Sequence, residues 1–309
     1  MEQPRLTREL LENEQLSIHD LLRACREGQW ERVRRGAYAR PEGLDDRARH
    51  LRLVAATVPL LAPESVLSHA SAAALHGLPI RRDLLDRVWV TRADGGHGRH
   101  GPVLHLRLCR LEEDEIVNVG GVRVTSLERT AIDMARLLSP EWGLIFCDAA
   151  LVAGANKERL LGQVDRARGW PGARKALCAA EFSDGRSGSP LESVSRLQLQ
   201  RLGFPTPVLQ FEVVLNGVVV ATTDFGWEDE GLVGECDGKV KYDELLRPGE
   251  TAADAVMREK RREERIRGAD LWIVRWGWSE AWNPPELRRI VQTGFALAPR
   301  NRSRAGRSA

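Results

Sequence analysis

Two carboxylates in the last third of the chain are spaced so that a β-hairpin would bring them together. Two β-rich runs flank an acidic turn at residues 228–231, a pattern typical of a hairpin. If Trp227 pairs with Leu232 across this turn, Asp224 lies directly opposite Glu235. Opposed side chains project from the same face about 5 Å apart, where like charges repel unless a cation lies between them. Because hard oxygen ligands suit Mg²⁺, the spacing predicts a metal-dependent hydrolytic site.

The same register adds further polar residues to this face. It sets Asp237 opposite Thr222, as an additional metal ligand or a neighbouring acid. Lys239 follows Glu235 by four residues, so the period of a strand returns it to the same face. A compact ammonium there would suit a phosphate group or a nucleophilic water. Lys239 and Lys241 are also open to another interpretation, as edge-strand lysines that prevent strand-to-strand association.

Each of the candidate acids has an ordinary structural alternative. Asp224 and Glu235 could be solvated acids on the exposed face of an antiparallel sheet. Glu192 follows Ser189 and Pro190 in the sequence SPLE, which is typical of a helix start with a capping box. Glu192 is therefore either a further member of the site or a group that bonds the end of its own helix.

The acidic motif resembles a known group of nucleases. Asp224 followed by Glu235-x-Asp237-Gly238 is similar to the core of the PD-(D/E)xK restriction-endonuclease-like superfamily, in the branch resembling very-short-patch-repair endonucleases. The resemblance covers roughly residues 187–285. It departs from the motif at position 237, where Asp stands in place of the lysine, so that Lys239 would be a displaced equivalent.

The sequence on both sides extends this resemblance. The segment SPLESVSRLQLQRLGFPTPVLQFEV resembles the family's opening helix and first strand, and REKRREERIRGADLWIVRWGW resembles its later helix and closing strand. The resemblance implies a mixed α/β sheet flanked by helices. It also implies that Asp224 and Glu235, with Asp237 or Glu192, hold Mg²⁺ or Mn²⁺. Asp224, Glu235, Lys239 and Glu192 would then be the catalytic residues of phosphodiester hydrolysis.

The N-terminal region, residues 1–47, is predicted to be a small winged-helix-like module. A helix starts at Thr7, and Ser17 caps a second one that ends near Gly28. An arginine-rich hairpin follows, where phosphate contacts would come from the hairpin and base contacts from the second helix. The predicted nucleic-acid contacts are Arg32, Arg34, Arg35 and Arg40. A mini-domain that packs on its neighbour is the alternative.

Residues 48–182 are predicted to be an α/β middle domain. Small residues from Ser65 to Ile80 predict one helix, three strand-like runs follow, and Ser126 caps another helix. His69 and His76 lie nearly two helical turns apart, too far to share one metal ion, and are predicted to be structural. Asp133 is predicted to be a surface or capping acid.

The first 180 residues also resemble a family of regulators. The segments ERVRRGAYAR, LSHASAAALHGLP, VTSLERTAIDMARLL and CDAAL are similar to the AbiEi family of type IV antitoxins, over roughly residues 5–180. The resemblance implies a winged-helix protein that binds its own promoter and opposes a nucleotidyltransferase-type toxin.

Composition limits the class of protein. The chain has 309 residues, 42% hydrophobic and 29% charged, so a globular α+β protein of several domains is expected. We expect a cytoplasmic protein without a membrane partner, because no apolar run reaches about 18 residues and the N-terminus is charged. The five cysteines form no CxxC pair, which argues against a zinc site. The predicted boundaries are a linker at 183–188, a nuclease-like domain at 189–299 and a basic tail at 300–309.

The sequence leaves three functional hypotheses. The first is a Mg²⁺-dependent DNA endonuclease in phage defence or repair, delivered to DNA by the N-terminal module. The second is a transcriptional regulator or antitoxin whose nuclease-like domain is catalytically silent, which the Asp at position 237 favours. The third is a protein that sequesters a toxin without cleaving DNA. Charge agrees with a DNA contact near the N-terminus, because residues 23–40 hold six arginines and two acids.

Overall fold

The chain consists of two compact units in a computed structural model, divided between residues 182 and 183. The structure describes residues 3–13, 17–93, 98–238 and 251–298. Both units contain helices and β-strands, and the strands form separate sheets. This confirms the α+β class predicted from the sequence. No helix among the described residues is long and apolar enough to cross a membrane.

The first unit begins with two short helices and a three-stranded sheet. Its elements are β1 (Arg5–Leu6), α1 (Thr7–Asn13), α2 (Ile18–Arg26), β2 (Glu31–Arg34) and β3 (Ala37–Ala39). The strands lie in the order β1-β3-β2, all antiparallel. Ser17 caps α2 in a capping box with Asp20, as the sequence predicts. Leu10, Leu21, Trp30 and Tyr38 form the small core that holds the module together.

A six-stranded sheet follows in the same unit, in the order β6-β7-β5-β4-β9-β8. Its elements are α3 (Asp46–Ala55), β4 (Val66–Leu67), α4 (His69–Leu75), β5 (Val88–Arg92), β6 (Arg99–His100), β7 (Leu104–Leu108), β8 (Ile116–Val119) and β9 (Val122–Thr125). Gly120 and Gly121 join β8 to β9 with φ values of 59° and 83°. This left-handed backbone is available to glycine at little cost, so the pair closes a tight hairpin.

The helix predicted from Ser65 to Ile80 is wrong in its first four residues. Val66 and Leu67 form the central strand β4, which pairs with β5 on one side and β9 on the other, and α4 begins only at His69. Both residues are buried, so tertiary pairing decides the conformation of this β-prone dipeptide. His69 itself has a φ of 47°, which marks the sharp change from strand to helix.

Four helices complete the first unit. They are α5 (Leu127–Leu137), α6 (Pro140–Val152), α7 (Lys157–Arg166) and α8 (Ala173–Phe182). Ser126 caps α5, as predicted. The helices enclose a second core, in which Ile132, Met134, Phe146 and Leu160 are almost completely buried.

The prediction that Asp133 is a surface or capping acid is wrong. Asp133 is 2% exposed, and its carboxylate bonds Arg129 at 2.9 Å and Arg136 at 3.0 Å. Arg129 also bonds Glu115, another buried acid, at 3.0 Å. Asp133 is on the buried face of α5, and both of its arginine partners lie on the same helix. Arg129 links this pair of contacts to Glu115, the residue before β8, and the helix pattern alone does not reveal that link.

The second unit is a four-stranded sheet with helices around it. Its elements are α9 (Pro190–Arg201), β10 (Val208–Leu215), β11 (Val218–Trp227), β12 (Leu232–Cys236), α10 (Ala252–Gly268), β13 (Trp272–Trp276), α11 (Trp278–Ala281) and α12 (Pro284–Leu297). The strands lie in the order β10-β11-β12-β13. The first two pairings are antiparallel, whereas β12 and β13 run parallel through the connection that contains α10.

Two glycines allow aromatic rings to pack directly on this sheet. A Cβ atom on Gly226 would lie 2.2 Å from the ring of Phe211, and one on Gly234 would lie 2.6 Å from the ring of Trp276. Any side chain at either position would therefore collide with a ring. The close packing fixes β10 and β13 against the central hairpin that bears the candidate site.

Candidate functional site

The register predicted for the β11–β12 hairpin is confirmed. The ladder pairs Trp227 with Leu232, Gly226 with Val233 and Phe225 with Gly234. It ends there, because the next N–H on β12 bonds a side chain instead of the opposite strand. The register thus brings Asp224 and Glu235 to the end of the ladder, one residue beyond its last pair.

Asp224 occupies the centre of the candidate site. Its Oδ2 accepts a hydrogen bond from the N–H of Cys236 at 2.6 Å. Burial raises the pKa of Asp224 to about 6, against the opposing effect of this hydrogen bond. The negative charges of Glu192 and Glu235 raise the pKa further. Glu192 and Glu235 are therefore both close enough for their charges to act on Asp224.

Glu192 faces the site from the first turn of α9. Ser189 caps the helix by accepting a hydrogen bond from the N–H of Glu192 at 3.2 Å, and Pro190 is the first helical residue, as predicted. The Glu192 carboxylate is 8% exposed and accepts hydrogen bonds from the N–H of Gly188 at 2.9 Å and from Gln210 at 3.0 Å. Glu192 thus bonds the backbone just before its helix, as one of the two interpretations predicts, and its charge raises the pKa of Asp224. Its membership of a catalytic site stays a prediction.

Gln210 joins the candidate site by bonding Glu192, and no sequence pattern predicted it there. It has a φ of 50° within β10, between the pairs Leu209–Phe225 and Phe211–Thr223, which places it across from Asp224. A non-glycine residue in this conformation is strained, and such strain is often found at functional sites. In the apolar run VLQFEV, Gln210 has no spacing that would single it out.

Glu235 is bound by two arginines. It bonds Arg275 at 3.0 Å and also bonds Arg262, and its side chain is 13% exposed. Arg275 is its neighbour in the parallel β12–β13 pairing, and Arg262 comes from α10. Arg275 additionally bonds Glu259 at 2.7 Å and Glu263 at 3.2 Å. The carboxylate of Glu235 is therefore charge-compensated, unlike that of Asp224.

Asp237 and Lys239 are placed differently from the other predicted site residues. The N–H of Asp237 bonds the carbonyl of Trp276 at 2.8 Å, and its exposed side chain lines an open cavity of about 630 Å³ with Arg275 and Trp278. Lys239, like the basic tail at 300–309, lies outside the described residues. Among the residues that are described, no group of three His, Cys, Asp or Glu side chains has metal-binding geometry.

A buried polar contact supports the site from below. The indole N–H of Trp276 donates a hydrogen bond to Ser195 Oγ at 2.7 Å, and Ser195 Oγ lies 3.4 Å from Cys236 Sγ. Burial raises the pKa of the Cys236 thiol well above its ordinary value, so it remains protonated. These contacts join α9, β12 and β13 at Cys236, whose N–H bonds Asp224.

The predicted DNA-contact arginines lie on the N-terminal hairpin. Arg32, Arg35 and Arg40 are exposed, with Arg35 in the β2–β3 turn. Arg40 lies over the ring of Trp30 at 4.2 Å and donates a hydrogen bond to the carbonyl of Gln29. Arg34 is partly buried. Beside this hairpin, α2 exposes a row of side chains at helical spacing, namely Ile18, His19, Leu22, Arg23 and Arg26.

Comparison with known proteins gives relatives but no activity. No family model matches the chain. Two uncharacterized proteins of Mycobacterium tuberculosis, MT2308 of strain CDC 1551 / Oshkosh and Rv2248 of strain ATCC 25618 / H37Rv, are each 29% identical to it over 210 residues. The match covers 62% of this chain and 74% of theirs. Among solved structures, the RV2827C protein from Mycobacterium tuberculosis matches 67% of this chain and 78% of its own, at 15% identity and a TM-score of 0.40.

Proposed function

We propose that the second unit is a Mg²⁺- or Mn²⁺-dependent DNA endonuclease and that the N-terminal module brings cytoplasmic DNA to it. The observation that carries this proposal is the convergence of Asp224, Glu192 and Glu235, with the pKa of Asp224 raised to about 6. A carboxylate in such surroundings is destabilised in its charged form, and a bound cation would relieve this.

The donor atoms fit a hard divalent cation. Asp224 and Glu235 would hold the ion, and Glu192 would support it from α9; all of them offer the carboxylate oxygens that Mg²⁺ prefers. Such an ion activates a bound water and neutralises charge on the scissile phosphate. Glu235 would exchange an arginine contact for the metal, which leaves Arg262 and Arg275 to bind phosphate oxygens. Asp237 and Lys239 remain proposed as a further ligand and as the group that orients the water.

The chain topology also supports this proposal. The second unit places a helix with Glu192 in its first turn before three strands, a helix and a parallel closing strand. This is the order of elements that the resemblance to restriction-endonuclease-like proteins implies. The acids lie where the central hairpin ends, on elements fixed by the buried Ser195–Trp276 contact.

For the DNA-binding part, the support is charge and exposure. Arg32, Arg35 and Arg40 present three cations on one small hairpin, and α2 exposes a row of side chains beside it. Arginines of this kind bind phosphate, whereas an exposed helix face can read bases. Replacing Arg32 and Arg35 with Gln should therefore weaken DNA binding uniformly across sequences and reduce its salt dependence.

Nicking of supercoiled plasmid in Mg²⁺ or Mn²⁺ tests the nuclease. Wild-type protein is expected to nick, and Asp224→Asn, Glu235→Gln or EDTA should each reduce the rate by at least about a hundredfold. Asp229→Asn is the matched control, because Asp229 is an exposed acid in the turn of the same hairpin. Equal nicking by all four proteins would indicate a contaminating nuclease and would contradict the proposal.

The ion pairs of Glu235 favour a second candidate function. The pairing of Glu235 with two arginines and the Asp at position 237 suit a catalytically silent nuclease fold in a transcriptional regulator or antitoxin. This candidate predicts salt-sensitive DNA binding without nicking under any metal. A nucleotidyltransferase-type toxin would then be the expected partner, and co-purification with such an enzyme in the absence of DNA would test it.

A further inference from the structure

A polar cavity in the first unit has no part in the proposed function. It has a volume of about 360 Å³ and lies between the N-terminal end of α5 and one face of α7. Helix α7 contributes Arg159, Gly162, Gln163 and Arg166, which at spacings of three, four and seven residues lie on a single helical face. The volume is near the lower limit of the roughly 300–1,000 Å³ typical of small-molecule pockets.

Gln163 gives the first indication of a ligand. Its side chain is 6% exposed, and its Oε1 atom is buried without a hydrogen-bond partner among the described residues. A buried acceptor left unpaired is unfavourable, and such groups are rare in folded proteins. Gln163 is one of the residues that line the cavity, so its wall includes an acceptor that no described group satisfies.

The opposite wall presents donors without acceptors. The Ser126 hydroxyl accepts a hydrogen bond from the N–H of Arg129 at 3.2 Å, while the N–H groups of Leu127 and Glu128 have no partner in the part of the chain that is described. They form the positive end of an eleven-residue helix, which favours an anionic group. Arg159 is exposed on the facing helix, and its guanidinium has no ion pair with any described residue.

The positive and negative charges around the cavity are equal in number, and this limits the charge that a ligand can carry. Two arginines, Arg159 and Arg166, face two acids, Asp114 and Glu128. Arg166 is already paired with Asp114 by contacts of 2.8 and 2.9 Å. A second, open depression beside it adds Glu112 and Glu113. A polyanion such as DNA or a nucleoside triphosphate would be repelled by these acids, whereas a small molecule with one positive and one negative group would not.

We propose that this cavity binds a zwitterionic small molecule of the α-amino-acid class. Its carboxylate lies at the N-terminal end of α5, within reach of Arg159. Its ammonium group donates hydrogen bonds to Gln163 Oε1 and to the Glu128 carboxylate. Val117 and Leu127 supply the apolar wall for the side chain. Such a molecule would satisfy both the Gln163 acceptor and the N–H donors at the start of α5. A simple anion would satisfy only the donors, and a simple amine only the acceptor.

Gly162 agrees with this proposal. It lies within α7, where glycine destabilises a helix relative to alanine. A Cβ atom added there would meet no atom within 4 Å, so packing does not exclude a larger residue. The absence of a side chain keeps the cavity open, and a larger residue at this position would fill it.

Isothermal titration calorimetry of the full chain tests the proposal, with the standard L-amino acids titrated one at a time. At least one should bind, and its decarboxylated amine and its deaminated acid should each bind at least about tenfold more weakly. Gly162→Leu should abolish binding with no loss of thermal stability, and Arg159→Gln should weaken it by about tenfold or more. Arg174→Gln is the control, since Arg174 is an exposed arginine of α8 outside the cavity.

Three results would overturn the proposal. One is that none of the amino acids binds the wild type. Another is that the amine or the acid alone binds as tightly as the amino acid. The third is that Gly162→Leu and Arg159→Gln bind as well as Arg174→Gln does. None of these outcomes depends on nuclease activity, so the cavity is tested independently of the proposed function.

Discussion

Asp133 in the first unit is buried and Asp224 in the second is partly buried, but their surroundings have opposite electrostatic character. Arg129 and Arg136 bond Asp133, and Arg129 also bonds Glu115, so two cations compensate two acids. Asp224 has a backbone N–H as its hydrogen-bond donor and two further acids nearby. The two aspartates therefore differ in whether an arginine of the protein bonds their carboxylate directly.

The pKa values of the two carboxyl groups express this difference. For Asp133, burial acts to raise the pKa, but His69, Arg129 and Arg136 outweigh it and the pKa is lowered. For Asp224, burial is the largest cause and the pKa rises to about 6. A buried carboxylate that arginines compensate can contribute to folding without a ligand, whereas a carboxylate without such a partner favours the binding of a cation. This difference supports the proposal that the second is a cation site, whereas the ion pairs of the first are part of the folded core.

The largest expected effect is the loss of the compensating arginine in the first unit. Arg129→Met leaves buried Glu115 with only its 3.7 Å contact to Arg166, and it removes one of the two arginines that bond Asp133. This should lower the free energy of unfolding by about 3–5 kcal/mol. Chemical denaturation of the first unit measures this. Arg168→Met is the control, because its pair with Asp165 is exposed on both sides and should matter by less than about 1 kcal/mol. Similar losses in both variants would remove the distinction between the two clusters.

A metal should stabilise the second cluster and leave the first unchanged. At a Mg²⁺ or Mn²⁺ concentration about a hundredfold above its Kd, binding to the folded state adds about 2.7 kcal/mol to the free energy of unfolding. Thermal denaturation with and without the metal should show this gain in the wild type and in Asp229→Asn. It should be absent from Asp224→Asn. A gain that persists in Asp224→Asn would place the metal elsewhere.

Local sequence was sufficient to predict several parts of this cluster. The acidic turn and the β-rich runs on either side define the β11–β12 register, because each pair is separated by only a few residues. The helix start at Ser189 was predictable for the same reason, since a cap depends on neighbours three residues away. Both predictions rest on interactions within one element or one hairpin.

Contacts between distant segments were not predictable. Arg275 reaches Glu235 through a parallel pairing across 40 residues, and no turn defines that register. Gln210 enters the site only because its backbone adopts a positive φ in the middle of a strand. Asp133 bonds arginines of its own helix, but the contact of Arg129 with Glu115, which completes this buried cluster, joins α5 to the residue before β8. These interactions depend on tertiary structure, which periodicity does not encode.

The pH dependence of stability should have opposite signs for the two acids. The pKa of Asp224 rises from 3.8 to about 6 on folding, so the folded state holds this proton more tightly. The stabilisation is complete below pH 4 and is lost as the pH rises through 6, by on the order of 2 kcal/mol. Asp133, with a lowered pKa, contributes stability that is present above pH 4 and lost at lower pH.

Asp224→Asn isolates this contribution. Urea denaturation of the second unit between pH 4 and pH 7 should show a decline for the wild type that is smaller or absent in the variant. The difference between the two curves is informative, because all other titrating groups are shared. Parallel curves would mean that the carboxyl group of Asp224 titrates normally, and the contrast with Asp133 would then be lost.

The smallest expected effect concerns the arginines that form ion pairs with Glu235. Arg275 bonds Glu235 at 3.0 Å but is 35% exposed, so its pairing contributes at most about 1 kcal/mol. If the arginine and the metal compete for this carboxylate, Arg275→Gln should tighten Mn²⁺ binding by up to about fivefold, measured by calorimetry. Arg289→Gln, which removes an exposed arginine paired with Glu286, should leave the affinity unchanged. Weaker Mn²⁺ binding in Arg275→Gln would show instead that the arginine holds Glu235 in place for the metal, and competition would be excluded.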